Sequence, residues 1–164
     1  MSTGNDNASA EERIGNLGIE LPSSPIPLGA YVEAVQTGNL LFLSGTLPIE
    51  NGIARFQGRL GGGLTVDDGR EATRLAALNA LAAAREHLGS LDEVSRVVRL
   101  AVSLVTSPDF TQHAKVADGA SELLLSVFGK DRIPTRMVYG TASLPAGVCA
   151  VTELVLEVRN TAAL

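Results

Sequence analysis

The sequence is poor in aromatic residues and in cysteine. Aromatic side chains make up 4% of the 164 residues, and there is no tryptophan. A core without large rings must be built from leucine, valine and alanine, which agrees with a hydrophobic fraction of 45%. The single cysteine, Cys149, excludes an intrachain disulfide. The chain length predicts one domain that buries its core without covalent staples.

Basic charge and long apolar runs are lacking as well. The net charge of −5 argues against a nucleic-acid partner, because phosphate binding needs a basic surface. No apolar run reaches transmembrane length, and the first residues show no basic and apolar signal pattern. We therefore expect a cytoplasmic protein with no membrane partner.

Candidate ligands for a soft metal are few and scattered. His87, His113 and Cys149 lie without the spacing of a metal site, so no metal is expected. Cys149 has no histidine near it in sequence, which favours a small strand residue over a nucleophile.

The order of elements predicts the fold class. Residues 1–12 are small and polar and are expected to form a disordered tail before a single domain at 13–160. A hairpin is expected around "TGN" and a short strand around "IARF", then a helix in "TVDDGREATRLAALNALAAAREHLG" that begins with a capping box. "VSRVVRLAVSLVT" predicts a buried strand and "HAKVADGASELLLSVFG" a second helix, and two more strands follow.

These elements indicate an α+β protein with one sheet of about six strands and two helices on one face. The opposite face of that sheet would be apolar and uncovered. Its simplest cover is another subunit.

Two charged residues interrupt the apolar C-terminal stretch "RIPTRMVYGTASLPAGVCAVTELVLEV". If its two strands pair across "LPAG", Arg136 and Glu153 lie toward the same end of the ladder. An arginine fork can bind a substrate carboxylate, and a glutamate can hold and activate a water. The spacing alone favours a simpler interpretation, in which the two residues form a salt bridge or mark strand ends. Two other residues also allow two interpretations each. Ser44 is either a turn residue or a hydrogen-bond donor at a pocket, and Tyr31 either packs in the core or lines a pocket.

The chain resembles the YjgF/RidA family of small enamine and imine deaminases, also called the L-PSP endoribonuclease-like family. The matching segments are "PIPLGAYVEAV", "GNLLFLSGTLP", "SPDF", "PTRMV" and "LPAGVCAVTELVLEV", in family order from about residue 14 to 158. The stretches "GNLLFLSGTLP", "ATRLAALNALAA" and "DGASELLLSVFG" resemble those of a divergent bacterial branch of the family. The resemblance implies a chorismate mutase-like fold with a mixed sheet, assembled as a homotrimer whose sheets form a central barrel with pockets between subunits.

The resemblance also implies roles for individual residues. Arg136, in "P-x-R", matches the arginine that binds the substrate carboxylate, and Glu153 matches the water-binding glutamate. Tyr31 in "GAY" matches a pocket tyrosine, and Ser44 and Gly45 match the start of the family's "SGQ". The Arg136–Glu153 pair need not meet within one chain, because the family pocket lies at a subunit boundary.

Three positions depart from the family pattern. Thr46 replaces the glutamine of "SGQ", and Val138 replaces the cysteine two residues after the arginine. The family asparagine corresponds to Ser121 or to Asp118, because the preceding segment carries extra residues. These changes leave the carboxylate anchor in place and bear on substrate identity.

The resemblance therefore implies hydrolysis of reactive 2-imino or 2-enamino acids, such as 2-aminoacrylate, to 2-keto acids and ammonia. No cofactor is expected for this reaction, because the imine carbon is already electrophilic. The alternative is a trimer that binds a keto acid or another small metabolite without turnover. Ribonuclease activity is disfavoured by the acidic charge and the lack of a histidine pair.

Overall fold

The computed structural model describes residues 7–159. Its regular elements are three α-helices and seven β-strands: α1 (Ala10–Asn16), β1 (Ala34–Thr37), β2 (Leu40–Leu43), β3 (Ile49–Glu50), β4 (Ile53–Ala54), α2 (Val66–Leu88), β5 (Val94–Val105), α3 (His113–Phe128), β6 (Thr135–Thr141) and β7 (Ala150–Val158). None of the helices in this part of the chain is long and apolar enough to cross a membrane.

The helix ends follow local sequence signals. Thr65 accepts a hydrogen bond from the backbone N–H of Asp68, and the Asp68 carboxylate accepts one in return from the Thr65 N–H, so the expected capping box of α2 is confirmed. The hydrogen bonds that the Asp68 carboxylate accepts from the backbone N–H and the hydroxyl of Thr65 hold the pKa of Asp68 below its usual value. Gly89 ends α2 in the left-handed region, at φ 82°.

Helix α1 was not expected, and it begins inside the segment predicted to be disordered. Ser9 and Glu12 form a second capping box, and Ala10 and Ile14 are buried. The Glu11 carboxylate accepts two hydrogen bonds from Arg85, at 3.1 and 2.6 Å. The expectation of disorder is therefore wrong for residues 10–12, because this short helix has both a core face and a charge partner. Residues 1–6 lie outside the described residues.

The main sheet has five strands rather than about six, in the order β1-β2-β7-β5-β6. It is mixed, because β5 and β6 run parallel while the other pairs are antiparallel. The expected hairpin at "TGN" is confirmed as β1–β2, with Gly38 at φ 58°. The strand expected around "IARF" pairs in a separate two-stranded hairpin, β3–β4.

Strand β5 lies between β6 and β7, which corrects the expected pairing of β6 with β7 across "LPAG". Helix α3 connects β5 to β6, and such a strand–helix–strand unit places its strands in parallel. After the turn at residues 145–147, the chain enters the sheet on the other side of β5. The largely buried β5 is thereby covered on both edges.

Side chains along β7 separate the two faces of the sheet. Ala150, Thr152, Leu154, Leu156 and Val158 are buried, and they alternate with less buried residues. The buried face packs against α2, and α3 packs against β5 and β6, so both expected helices lie on one side. The opposite face, here called the open face, carries exposed apolar side chains that include Val35, Phe42, Met137 and Tyr139.

Candidate functional site

Arg136 lies on β6 with its side chain directed toward α3. Its Nη1 donates a hydrogen bond to Asp118 Oδ1 at 2.7 Å and another to Ser121 Oγ at 3.0 Å. Asp118 and Ser121 are three residues apart on α3, so they share a helix face. Both alternatives for the family asparagine therefore contact the predicted anchor. We call Arg136, Asp118 and Ser121 the anchor cluster.

The guanidinium of Arg136 retains a free edge. Both of its hydrogen bonds come from Nη1, and no residue between 7 and 159 accepts a bond from Nε or Nη2. The Nε and Nη2 hydrogens point the same way and match the two oxygens of a carboxylate. A pocket of about 260 Å³ lies beside this side chain, lined by Ser121, Glu122, Leu125, Ile133, Pro134 and Arg136.

Glu153 lies on the open face of β7, and its partner is Arg99. Arg99 Nη1 lies 3.3 Å from Glu153 Oε1, and both side chains are about half exposed. The suggested Arg136–Glu153 salt bridge is therefore wrong, because each residue has another partner. Glu153 pairs with Ala101 of β5, which in turn pairs with Met137 of β6. The glutamate thus shares a face with Met137, whereas Arg136 projects from the other face.

Ser44 and Gly45 follow β2 and lie close to β7. The backbones of Thr46 and Thr152 exchange hydrogen bonds of 2.8 and 3.0 Å, which brings Gly45 against Val151 on the open face. Ser44 Oγ donates to the carbonyl oxygen of Val32 at 2.6 Å and so fixes the segment before β1.

Tyr31 precedes that segment, and its hydroxyl accepts a bond from the Leu28 N–H at 3.0 Å. The ring is partly exposed, so the structure favours a surface position over the core alternative. We call Ser44, Gly45 and Glu153 the open-face cluster; among residues 7–159 no hydrogen bond joins Tyr31 to them.

The departures from the family pattern lie mostly inside the protein. Thr46 is 2% exposed, and its Oγ1 donates to the carbonyl oxygen of Ala76 at 2.8 Å, so it does not line a surface pocket. Val138 shares the α3-facing side of β6 with Arg136 and packs against the core. Cys149 is fully buried, and burial raises the pKa of its thiol to about 11. This burial agrees with the interpretation of Cys149 as a small strand residue.

The two clusters lie apart within one chain. The anchor cluster is at the β6 edge of the sheet, and Ser44 and Gly45 follow β2, which lies three strands away. At the usual strand spacing this separation is about 14 Å. A single chain therefore does not bring all the predicted site residues into one pocket.

Some contacts of these clusters were missed by the sequence reasoning. One missed contact is Arg99, which is the partner of Glu153. The sequence signal for it was the presence of a second arginine in the apolar segment "VSRVVRLAVSLV". Leu125 and Ile133 line the pocket beside Arg136. Leu125 is an apolar residue outside the buried stripe of α3, which was a weaker signal. Nowhere in residues 7–159 do three histidine, cysteine, aspartate or glutamate side chains come together as candidate metal ligands.

Sequence comparison places these features in a known family. Residues 11–158 match the family described as YjgF/chorismate mutase-like, putative endoribonuclease. Protein TCP17 of Trypanosoma cruzi is 41% identical over 145 residues, which cover 88% of this chain and 91% of that protein.

Structural comparison gives the same grouping. The crystal structure of a putative endoribonuclease from Shewanella oneidensis has a TM-score of 0.88 at 34% identity, covering 92% of this chain and all of that one. RidA from the Antarctic bacterium Psychrobacter sp. has a TM-score of 0.59 at 23% identity, covering 83% of this chain and 94% of that one. The second likeness shows the fold alone.

Proposed function

The chain belongs to the YjgF/chorismate mutase-like family, and from this we propose that it hydrolyses 2-imino and 2-enamino acids to 2-keto acids and ammonia. One observation carries the proposal beyond family membership. Arg136 is held by Asp118 and Ser121, and no other residue between 7 and 159 binds the remaining edge of its guanidinium, which lies beside a pocket. That edge suits the carboxylate that such substrates share.

The proposed reaction needs orientation more than activation. Arg136 binds the substrate carboxylate through Nε and Nη2, which fixes the position of the adjacent C=N bond. An enamine such as 2-aminoacrylate first tautomerises to the imine. The oxygen of a water then forms a bond to the imine carbon, and both protons of the water pass to the nitrogen. The C–N bond breaks, ammonia leaves, and the oxygen remains on the carbon as the keto group. Glu153 would hold this water and accept a proton from it.

The separation of the two clusters favours a pocket built from two copies of the chain. Arg136 and Glu153 lie on opposite faces of one sheet, so a Glu153 that serves Arg136 must come from a neighbouring copy. The exposed apolar side chains of the open face also call for a cover. We therefore propose a homotrimer in which the open-face cluster of one copy meets the anchor cluster of the next.

A second candidate function is the binding of a keto acid or a related metabolite without turnover. The ion pair between Glu153 and Arg99 favours it, since it engages the carboxylate that would otherwise hold a water. RNA cleavage has less support, although the word endoribonuclease stands in the family description. The net charge is −5, and His87 and His113 belong to different helices.

The test is the decay of 2-aminoacrylate or 2-iminobutyrate generated by a dehydratase. We expect the wild type to accelerate the decay, and Arg136→Ala to lower kcat/KM by roughly 100-fold, as for the loss of a bidentate charge-assisted contact. Arg55→Ala is the matched control, because Arg55 forms an exposed ion pair with Glu50. No acceleration by the wild type would exclude deamination, and keto acid binding without turnover would support the second candidate.

A further inference from the structure

The pocket beside Arg136 has an apolar wall. Leu125, Ile133 and Pro134 form one side, and Leu125 and Ile133 are 43% and 54% exposed. Leu125 does not belong to the buried residues of α3, and Ile133 lies in the connection to β6. Neither side chain is therefore required in the core of this chain.

The polar groups of the same pocket are already engaged. Glu122 contributes a carboxylate, but its Oε2 accepts a 2.6 Å bond from Arg70 Nη2. Ser121 Oγ accepts a bond from Arg136 Nη1. What the pocket offers a ligand is the free guanidinium edge of Arg136 and, next to it, the apolar wall.

The position of this wall limits what can lie against it. The Asp118 and Ser121 contacts fix the guanidinium, so a carboxylate on the free edge has a defined orientation. The substituent on the neighbouring carbon then lies within a few ångströms of the lining residues. A methyl group would leave most of a 260 Å³ pocket unfilled, whereas a branched or longer chain would displace water from apolar surface.

We propose that Leu125 and Ile133 are specificity-determining residues that make this site select 2-imino acids with apolar side chains of about three to five carbons. This inference rests on the proposed function, because it takes Arg136 as the carboxylate anchor. Burial of each additional methylene corresponds to about a fourfold gain in kcat/KM when it is complete. The wall is partly open, so the gain over three carbons is roughly tenfold.

The experiment compares two imines made by an L-amino acid oxidase in the presence of catalase. One is 2-iminopropanoate, from alanine, and the other is 4-methyl-2-iminopentanoate, from leucine. We expect the wild type to prefer the second by roughly tenfold in kcat/KM. Leu125→Ser and Ile133→Ser should each lower this preference about threefold, because the lost apolar contact weakens kcat/KM mainly for the longer imine. Ile53→Ser is the matched control, because Ile53 is an exposed apolar residue on β4, outside the pocket, and this substitution should leave the preference unchanged.

The outcomes separate this inference from the proposed function. If kcat/KM is equal for both imines, or if both variants keep the wild-type preference, the proposed selectivity is wrong. The proposed deamination itself is not affected by either result. If neither imine is hydrolysed, deamination fails, and calorimetry with pyruvate and 4-methyl-2-oxopentanoate decides the selectivity by itself. If the protein binds the longer acid more tightly and Leu125→Ser reduces this preference, the proposed selectivity is supported. Equal binding of the two acids, or no binding of either, overturns it.

Discussion

Arg136 and Glu153 project from opposite faces of one sheet, with β5 between their strands. Arg136 is bound to Asp118 on the helix side, and Glu153 to Arg99 on the open face. The two residues that the family resemblance assigns to one active site are therefore separated by the sheet itself. Any joint action requires two copies of the chain.

This separation predicts complementation between two inactive variants. Arg136→Ala and Glu153→Gln should each lower kcat/KM by roughly 100-fold, yet co-expression with two different tags should produce mixed assemblies with intact pockets. Purification by both tags selects mixed trimers, and in each of them about one boundary in three combines an intact Arg136 with an intact Glu153. We expect roughly that fraction of wild-type activity in purified doubly tagged protein. If the mixed assemblies are as inactive as the separate variants, this prediction is wrong. Either both residues then act within one chain, or they take no part in the reaction.

Asp118 is expected to act as a positioning residue for Arg136. Asp118→Asn and Asp118→Ala both remove the competing negative charge, but only asparagine keeps an oxygen that can accept from Nη1. Pyruvate should therefore bind Asp118→Ala roughly five- to tenfold more weakly than Asp118→Asn, as measured by calorimetry. Hydrolysis should show the same difference in KM with similar kcat. Equal dissociation constants for the two variants would mean that Asp118 affects the site by charge alone.

Gly119 of α3 marks the closest approach of α3 to α2. A Cβ at this position would overlap the carbonyl oxygen of Arg70 and lie 2.6 Å from Thr73 Oγ1. We expect Gly119→Ala to lower the free energy of unfolding by about 3 kcal/mol, since backbone cannot move aside as a side chain can.

Gly15 of α1 provides the matched control for Gly119, because it is helical and a Cβ there meets nothing within 4 Å. Gly15→Ala should raise the free energy of unfolding by about 0.5 kcal/mol. Urea unfolding of both variants measures the difference. A similar change in the two would contradict the close helix contact.

Cys149 should make stability depend on alkaline pH. Burial raises the pKa of its thiol from 9.0 to about 11, so between these values the unfolded chain loses a proton that the folded protein keeps. The free energy of unfolding therefore falls as pH rises through this range, by about 1 kcal/mol at pH 10.

Urea unfolding at pH 8 and pH 10 checks this effect, with Cys149→Ala as the reference for all other groups. The variant should lack this part of the pH dependence. The native thiol should also resist alkylation at pH 8, whereas the denatured chain should react at one thiol, since the sequence contains one cysteine. Rapid alkylation of the native protein, or equal pH dependence in wild type and variant, would contradict the burial.

Much of the local structure follows from the sequence. The ends of α2 are set by Thr65 and Asp68 at one end and Gly89 at the other, and the β1–β2 turn is set by Gly38. These features depend on contacts within a few residues, so a short window contains all the information. Helix α1 had the same kind of signal in Ser9 and Glu12, but its polar surroundings concealed it. What stabilises α1 is the distant Arg85, which no local pattern reveals.

The strand order and the composition of the site were decided by the tertiary structure. The turn "LPAG" favours a hairpin locally, yet β5 lies between the two strands, because pairing on both edges buries its apolar residues and satisfies its backbone. That insertion puts Arg136 beside α3 and leaves Glu153 on the open face with Arg99. The sequence by itself determined which side chains are available for chemistry. Only the tertiary structure decided which of them meet, since their contacts join residues 15 to 54 positions apart.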